Sequence, residues 1–379
     1  MAERKRRSIR RTVEELTWDL WIVVPALGLV FFGVIMVYSA SAGLKFPERP
    51  LKTQMIAAVI GVVAMVLLQR IDYHRFANPL FVYGFLLFCI SLLSVVFLFT
   101  PIKGARRWIS ISGYSFQPSE FAKLALIIFL AWFLARRESE GKLQQYTLTV
   151  LPAGVILAIV GGLIYKEPDL GTLGVLGVVA MAMYVIAGAP VKKLLLFLPL
   201  LVFGVFYAIW SMPYRRARIF AFLDPEADRL GNGYHILQSL KAIGSGGING
   251  LGFGKGRQKL SFLPEPNTDF IFPVIAEELG LIGATTLILV IGLLIWRGLR
   301  AGYRAPDTVG RLLSVGITTW IAFQAFFNIS VVLKLLPTKG LTLPLISAGG
   351  TSLIVVMMGI GILLNISAQG DLQAQEEGA

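Results

Sequence analysis

Residues 263–280 read LPEPNTDFIFPVIAEELG, and this stretch joins a proline-rich loop to a long apolar run. It delivers one acidic residue, Asp269, to the first turn of the predicted helix. An aspartate at a helix start is usually a cap, because its oxygens accept free backbone N–H groups and its charge suits the positive end of the helix dipole. The alternative is a reactive carboxylate held at a membrane surface, and the rest of the chain has to decide between the two.

The composition is that of a membrane protein with several spans. Of the 379 residues, 56% are hydrophobic and 15% are charged, whereas an ordinary soluble domain has about 25% charged residues. The mean hydropathy is +0.73. The single cysteine, Cys89, cannot form an internal disulfide, and the histidines, His74 and His235, stand far apart without partners at metal-ligand spacing. No cofactor site is evident; a divalent cation, Mg²⁺ or Mn²⁺, is the one cofactor that we keep open.

Ten apolar stretches are long enough to cross about 30 Å of hydrocarbon at about 1.5 Å per residue. We therefore predict an all-α integral membrane protein with ten transmembrane helices, and an even number of spans places both termini on the same side. The predicted spans lie near residues 20–43, 53–68, 79–99, 118–135, 148–165, 172–189, 194–212, 270–296, 312–333 and 351–367.

The distribution of basic residues predicts that both termini are cytoplasmic. Residues 1–17 form a basic tail, and short basic segments stay in the cytoplasm. With this tail inside, the inside segments hold 17 Lys and Arg, against nine in the short outside loops. We therefore predict a multi-pass protein of the cytoplasmic membrane. Residues 368–379 are its cytoplasmic C-terminal tail, and residues 211–269 are a large extracytoplasmic loop between spans 7 and 8.

The large loop contains two predicted surface helices. Residues 213–228, PYRRARIFAFLDPEAD, combine Arg215, Arg216 and Arg218 with apolar residues, which suits an interfacial helix that contacts anionic membrane lipids. Plain anchoring at the bilayer edge is the alternative. Residues 233–244, GYHILQSLKAIG, place their apolar side chains on one helical face, which predicts a second helix.

A glycine-rich segment follows at residues 244–256, GSGGINGLGFGKG. It is not a P-loop, because Asn249 stands where the first glycine of that motif belongs. Its backbone N–H groups and Lys255 are nevertheless of the kind that hold a phosphate. A flexible connector is the alternative interpretation.

Ionisable residues inside the predicted spans each cost about 2.5–3.5 kcal/mol at the bilayer centre. Glu120 and Lys123, in QPSEFAKLALIIFLAWFL, lie three residues apart and hence on one helix face. They must pair or face water, and they either fix helix packing or belong to a functional site. Asp169, in the turn YKEPDLGT, is equally well explained as a helix cap and as a substrate contact.

The residue types exclude several catalytic arrangements and favour one. The sequence has no Ser/His/Asp order, no Cys/His pair and no acidic dipeptide of the kind that binds a nucleotide-sugar metal. A carboxylate can accept the proton of an attacking alcohol, and fixed cations stabilise a departing pyrophosphate. Such a substrate would be lipid-linked, because the site opens at the bilayer. The outward-facing basic candidates are Arg106, Arg107, Arg215, Arg216, Lys255 and Lys339.

Four long motifs resemble one known family and occur in its order. They are GARRWISISGYSFQPSEFAKL (104–124), EPDLGT (167–172), LDPEADRLGNGYHILQSLKAIGSGGINGLGFGKGRQKLSFLPEPNTDFIFPVIAEELG (223–280) and LPTKGLTLPLISAGGTSL (336–353). Over essentially all ten spans the chain is similar to the SEDS family, the shape, elongation, division and sporulation proteins of bacteria. The resemblance implies a peptidoglycan glycosyltransferase that polymerises lipid II on the outer face of the cytoplasmic membrane and releases undecaprenyl pyrophosphate.

The resemblance also implies roles for individual residues. The essential aspartate of the family's TDFIF motif falls on Asp269, which favours catalysis over capping. Other motif positions fall on Arg107, Glu120, Lys123, Asp169 and Lys339. To these substrate-binding candidates the charge argument adds Arg215, Arg216 and Lys255.

The segment 336–347, LPTKGLTLPLIS, is more similar to the cell-division branch of the family (FtsW-like) than to the elongation branch (RodA-like). Septal cell-wall synthesis is therefore the first expectation and elongation the second. The implied partners are lipid II, the nascent glycan strand, a class B penicillin-binding protein transpeptidase, other division proteins and membrane lipids, without nucleic acid. A lipid II flippase is the alternative function, although a carrier needs access from both faces. A scaffold that only recruits division proteins is a third.

Overall fold

The structure is a computed structural model. It describes residues 18–378 except 103, 112–113, 191–203, 205, 208, 232 and 261. The basic tail predicted for residues 1–17 and most of the seventh predicted span, 194–212, lie outside the described residues.

The regular structure of the described residues comprises eleven α-helices, one small hairpin and three 3₁₀ helices (Tyr73–Arg75, Val96–Leu98 and Gln258–Leu260), so the predicted all-helical class is confirmed. The hairpin, which the sequence did not indicate, pairs β1 (Ile109–Ile111) antiparallel with β2 (Tyr114–Phe116). The helices are α1 (Leu20–Ala40), α2 (Glu48–Gln69), α3 (Pro79–Val95), α4 (Pro118–Ser139), α5 (Tyr146–Lys166), α6 (Leu170–Ile186), α7 (Pro213–Leu223), α8 (Tyr234–Gly246), α9 (Ile271–Tyr303), α10 (Thr308–Val332) and α11 (Gly350–Gly378).

Eight of the described helices, α1 to α5 and α9 to α11, are long and apolar enough to cross a membrane. The chain is therefore a multi-pass membrane protein. Helix α6 coincides with the sixth predicted span but has only 17 residues, which is short for about 30 Å of hydrocarbon. The total of ten spans stays a prediction, and the tenth, predicted to end at residue 367, lies in a helix that continues to Gly378.

Helix starts follow from local sequence. Asp19 and Asn78 cap α1 and α3, accepting hydrogen bonds from the backbone N–H groups of Trp21 (3.1 Å) and Leu80 (2.9 Å). Pro118 occupies the first turn of α4, where its missing N–H costs no helical hydrogen bond. These signals set the ends of the spans independently of the surrounding membrane.

Helices α4 and α11 form the centre of the bundle. In the most apolar 18-residue window of each, 89% of the residues are buried, against 22% for α2. A helix that is apolar on all sides can be enclosed by other helices, whereas α2 leaves much of its surface for lipid. Small residues allow close contacts, since Gly61 of α2 packs against Met357 of α11.

The bundle has two faces, which we name after α1. At the Asp19 face, the Asp19 carboxylate accepts hydrogen bonds from Arg297 of α9 (2.6 Å) and Ser367 of α11 (2.8 Å). At the Ser39 face, Ser39 donates from Oγ to the buried Glu278 carboxylate of α9 (2.7 Å). The start of α1 and residue 367 of α11 therefore lie on the same face.

Helix α9 is broken near its start, where Gly280 has φ 66° and ψ −166°. Glycine tolerates this conformation, which most other residues avoid. Residues 271–278 are all buried in protein, whereas Leu281 and Ile282 are 62% and 58% exposed. The predicted eighth span, 270–296, therefore divides into two buried turns and a membrane-crossing part that continues to Tyr303, the end of α9.

The loop between α10 and α11, residues 333–349, enters the bundle from the Ser39 face. The backbone of Leu345 and Ile346 lies against Gly33 of α1, about 10 Å along the helix from its last residue. Its polar groups have protein partners: Gln54 donates to the backbone oxygen of Ser347 (3.2 Å). Irregular backbone at this depth is acceptable because protein surrounds it.

Candidate functional site

Asp269 lies in a turn and not at the cap of α9. The helix begins at Ile271, and the cap position is occupied by Phe270, which makes no side-chain cap hydrogen bond. The backbone oxygen of Asp269 accepts a hydrogen bond from Asn328 of α10 (2.9 Å), which also donates to the backbone oxygen of Leu341 (2.6 Å). Asn328 thus fixes Asp269 against the loop that enters the bundle.

A second contact holds the same loop to the turn before α9. Ser347 donates from Oγ to the backbone oxygen of Thr268 (2.7 Å), and the N–H of Ala348 donates to the backbone oxygen of Asn267 (2.8 Å). Residues 267–269 and 341–348 therefore form one packed unit, which brings two motifs of the sequence together.

Gly340 is part of the surface around the Asp269 carboxylate. A Cβ atom built on Gly340 would collide with Oδ2 of Asp269. The lysine before it, Lys339, thus belongs to the same site as the aspartate.

We predict that Gly340→Ala lowers activity by about 100-fold, since a displacement of about 1 Å of a reactive group has an effect of this order. Gly350→Ala is the matched control, because its Cβ would lie 3.4 Å from its nearest neighbour, Cγ2 of Thr53. Rates of glycan formation, the activity that the SEDS resemblance implies, check this prediction in the two purified variants. Equal rates would show that the Asp269 carboxylate does not need its present position.

Arg107, Asp169 and Lys339 come together at the start of α6. Arg107 donates from Nε to the backbone oxygen of Glu167 (2.9 Å) and from Nη2 to that of Pro168 (2.5 Å). Lys339 lies with Nζ 3.8 Å from Oδ1 of Asp169. The structure therefore gathers residues from three separate motifs.

Asp169 has the capping role, one of the two that the sequence left open, and its role as a substrate contact stays a prediction. It is the N-cap of α6, accepting hydrogen bonds from the N–H (3.3 Å) and the Oγ1 (2.7 Å) of Thr172. Burial opposes ionisation, but the charges of Arg107 and Lys339 and the bonds from Thr172 hold the pKa of Asp169 below its ordinary value. The carboxylate is therefore ionised at neutral pH and faces the cations.

Two arginines of α7 complete a group that we call the cationic cluster, namely Arg107, Arg215, Arg218 and Lys339. Burial lowers the pKa of Lys339 to about 8, Asp169 opposes this shift, and the three arginines add to it. The mutual influence of these charges indicates one electropositive region.

Arg218, which the sequence placed on the interfacial helix but not among the substrate-binding candidates, also belongs to this site. Burial lowers its pKa, and among its electrostatic neighbours are Arg107 and Asp269. Arg215 is buried, donates from Nε to the hydroxyl of Tyr214 (2.9 Å) and lies over the ring of Tyr165. The spacing of three residues between Arg215 and Arg218 is the signal that could have found it.

Glu120 and Lys123 form the expected ion pair. Lys123 Nζ lies 2.9 Å from Oε1 of Glu120 and donates to Oε1 of Gln324 in α10 (3.1 Å). Gln324 in turn donates from Nε2 to the backbone oxygen (3.0 Å) and the Oγ1 (2.9 Å) of Thr342. The pair thus supports the loop that carries Lys339, and it does not contact the cationic cluster among the described residues.

The side chain of Lys255 is exposed, and the described residues provide no hydrogen bond or ion pair between it and the cluster. Its role in substrate binding stays a prediction. Arg216 is half-buried on α7, and no hydrogen bond or ion pair of its side chain to the site is present among the described residues.

The glycine-rich segment (244–256) and the two residues after it direct backbone N–H groups at the protein's own carboxylates. Those of Arg257 and Gln258 donate to Glu277 (2.9 and 3.2 Å), and that of Gly254 donates to Glu278 (3.0 Å). These three N–H groups are engaged within the protein, and the phosphate-binding and connector interpretations of the segment stay predictions.

A buried ion pair also involves Glu278. Lys259 Nζ lies 2.5 Å from Oε1 of Glu278 and donates to the Oγ of Ser39 (2.7 Å). All three side chains are buried. The segment is thus fixed to α1 and α9 at the Ser39 face.

A family model matches nearly the whole chain. The FtsW/RodA/SpoVE family, described as "Cell cycle protein", matches residues 19–371. The chain belongs to this family. The predicted SEDS resemblance is thereby confirmed.

Two relatives of the family align with this chain over nearly its whole length. A "Probable peptidoglycan glycosyltransferase FtsW" of Geobacter metallireducens is 42% identical, covering 93% of this chain and 95% of the relative. Stage V sporulation protein E of Bacillus subtilis is 41% identical, with 94% and 98% covered.

Two solved structures are similar in fold and sequence. One is the structure of a peptidoglycan synthase complex, described as showing structural coordination of polymerization and crosslinking. It has a TM-score of 0.77 at 31% identity, and the match covers 94% of this chain and 99% of that one. The rod shape determining protein RodA of Thermus thermophilus has a TM-score of 0.69 at 29% identity, with 93% and 98% covered.

Proposed function

We propose that this chain is a peptidoglycan glycosyltransferase that polymerises lipid II into glycan strands on the outer face of the cytoplasmic membrane. The observation that carries the proposal is Asp269, whose carboxylate packs against Gly340 within electrostatic reach of the cationic cluster. FtsW/RodA/SpoVE relatives named as peptidoglycan glycosyltransferases support it.

The aspartate acts on the attacking hydroxyl group, and the cations act on the leaving pyrophosphate. Asp269 accepts the proton of the 4-hydroxyl of the acceptor N-acetylglucosamine while that oxygen attacks the anomeric carbon of the donor. A β-1,4 bond forms, and the bond between that carbon and the pyrophosphate breaks. The cationic cluster stabilises the negative charge of the departing undecaprenyl pyrophosphate.

Among the described residues, no three His, Cys, Asp or Glu side chains gather as ligands of a protein-held metal. The carboxylate of Asp169, beside the cluster, is engaged by Thr172 and faces Lys339. We derive no step through a metal, and a requirement for Mg²⁺ or Mn²⁺ stays a prediction.

The division branch is favoured over the elongation branch. The motif at 336–347 supports it, as do relatives named FtsW at 41–42% identity. The partner that we propose is a class B penicillin-binding protein transpeptidase, because a similar solved structure is a complex of polymerization and crosslinking. Other division proteins remain an expectation.

The proposal requires the Ser39 face to be extracytoplasmic. We predict that a reporter inserted near Asn249 reads outside and that a reporter fused after Gly302 reads cytoplasmic, since the basic residues favour the Asp19 face as the inside. Paired alkaline phosphatase and green fluorescent protein fusions check this prediction. An inside signal at residue 249 would place Asp269 away from lipid II and contradict the proposal.

Purified protein with lipid II in detergent tests the function. We expect a ladder of glycan products that a muramidase digests, formed by the protein alone or with its transpeptidase partner. Folded protein that makes no polymer in either condition would refute the proposal.

A further inference from the structure

One acidic side chain beside the cationic cluster has no part in the reaction described above. Glu167 follows the last residue of α5 and precedes Asp169 by two positions. Its side chain is 0% exposed, and neither Oε1 nor Oε2 has a hydrogen-bond partner among the described residues. A carboxylate in such a place would be both dehydrated and unbonded, which strongly disfavours the charged form.

The neighbours of Glu167 do not stabilise its charged form. The guanidinium of Arg107 is close, but it donates to the backbone oxygens of Glu167 and Pro168 and not to the carboxyl group. The nearby Asp169 is already ionised and repels a second negative charge. Burial raises the pKa of Glu167 to about 8, Asp169 adds to this shift, and Arg107 opposes it.

We propose that Glu167 stands as a neutral carboxylic acid at neutral pH and acts as a positioning residue, whose ionisation in alkaline medium weakens the hold of the cationic cluster on a pyrophosphate. This inference rests on the proposed function and names a residue that controls its pyrophosphate subsite. Glu167 does not touch the phosphate; it acts through the charge and position of Arg107 and Asp169.

The charge balance of the region gives the direction of the effect. With Glu167 neutral, the negative charges that oppose the cationic cluster are those of Asp169, beside Lys339, and Asp269, near Arg218. Ionisation of Glu167 adds a further negative charge next to Asp169 and competes for Arg107. The exposed Lys166 on the same helix points to solvent and compensates little, since water screens it.

A second group of the site titrates in the same range and must be separated from Glu167. Lys339, with a pKa of about 8, loses its charge as the pH rises, which also weakens anion binding. Both changes therefore lower the affinity for pyrophosphate above about pH 8. Only a comparison of variants can assign the two contributions.

The experiment measures the dissociation constant of inorganic pyrophosphate from pH 6.5 to 9.5 with purified full-length protein. Pyrophosphate itself loses protons over this range and gains negative charge, so wild type is compared with each variant at the same pH. Ionisation of Glu167 and loss of the charge of Lys339 should each weaken binding about a few-fold, since each charge near a protein surface contributes an effect of this order. Glu167→Gln, which keeps the shape of the neutral acid, should therefore bind pyrophosphate several-fold more tightly than wild type at pH 9.5 and about equally at pH 6.5. Lys339→Arg, which stays charged, should retain the weakening that belongs to Glu167.

An unchanged pH profile in folded Glu167→Gln would overturn the inference. Infrared spectra of wild-type protein with isotope-labelled glutamate give a second measurement that needs no variant. A protonated glutamate carbonyl band should be present at pH 7 and decrease by pH 9, and its absence at pH 7 would also overturn the inference. Both measurements use binding and spectroscopy, so they remain decisive even if the protein fails to polymerise lipid II.

Discussion

Asp269→Asn is expected to reduce the rate of glycan formation about 100- to 10,000-fold, the usual contribution of a general base. The amide keeps the shape of the carboxyl group but cannot accept the hydroxyl proton. The fold should persist, because Asn328 holds the backbone oxygen of residue 269 and not its side chain. Lipid II binding should remain, since the cationic cluster is unchanged.

Asp224→Asn is the matched control for this variant. Asp224 lies in the same large loop, where its side chain accepts turn hydrogen bonds from the N–H groups of Glu226 and Ala227, and an asparagine can accept them as well. Its rate should stay within about twofold of wild type, as for most surface substitutions that break no special feature. A melting curve of each variant accompanies the assay. Folded Asp269→Asn with a wild-type rate would remove the aspartate from the mechanism.

The second large effect concerns stability. Lys123→Ala should lower the free energy of unfolding by about 3–5 kcal/mol, because removing one partner of a buried pair leaves the other charge uncompensated. The side chains of Lys123 and Glu120 are 1% and 6% exposed, and the second oxygen of Glu120 already lacks a hydrogen-bond partner among the described residues. Thermal unfolding in nanodiscs measures the loss.

A double-mutant cycle separates pairing from general damage. The double replacement of Glu120 and Lys123 by Ala should cost less than the sum of the single changes, because it leaves no unpaired charge. The exposed pair of Arg304 and Asp371, with side chains 45% and 41% exposed, is the control, and Arg304→Ala should cost less than about 1 kcal/mol. Strictly additive losses at 120 and 123 would show that the two do not interact.

The sequence predicted those features that depend on short chain separations. The Glu120–Lys123 pair follows from three-residue spacing on one helix, and the capping role of Asp169 follows from its turn. The span positions follow from runs of apolar residues, because a helix must satisfy its own backbone in the membrane. The assembly of Asp269 with Lys339 came from the predicted topology, which placed both on the outside, and from motif resemblance, since no local pattern joins positions 70 residues apart.

Features set by long-range contacts could not be predicted. Lys255 and Lys259 look alike in sequence, yet Lys259 is buried against Glu278 while Lys255 is exposed. No local pattern predicts that the carboxylates of Glu277 and Glu278 bind N–H groups of residues 254–258, about 20 positions earlier in the chain and next to the break at Gly280. Glu167 also gave no signal, because its burial results from how three loops pack together.

The central claim is that the chain polymerises lipid II and does not merely carry it. Its most direct test uses proteoliposomes with labelled lipid II, in which polymer formation and transfer of lipid II between leaflets are measured together for wild type and Asp269→Asn. The account predicts muramidase-sensitive polymer with wild type, almost none with Asp269→Asn, and no dependence of transfer on either protein. Transfer by both proteins without any polymer would contradict it and favour the flippase.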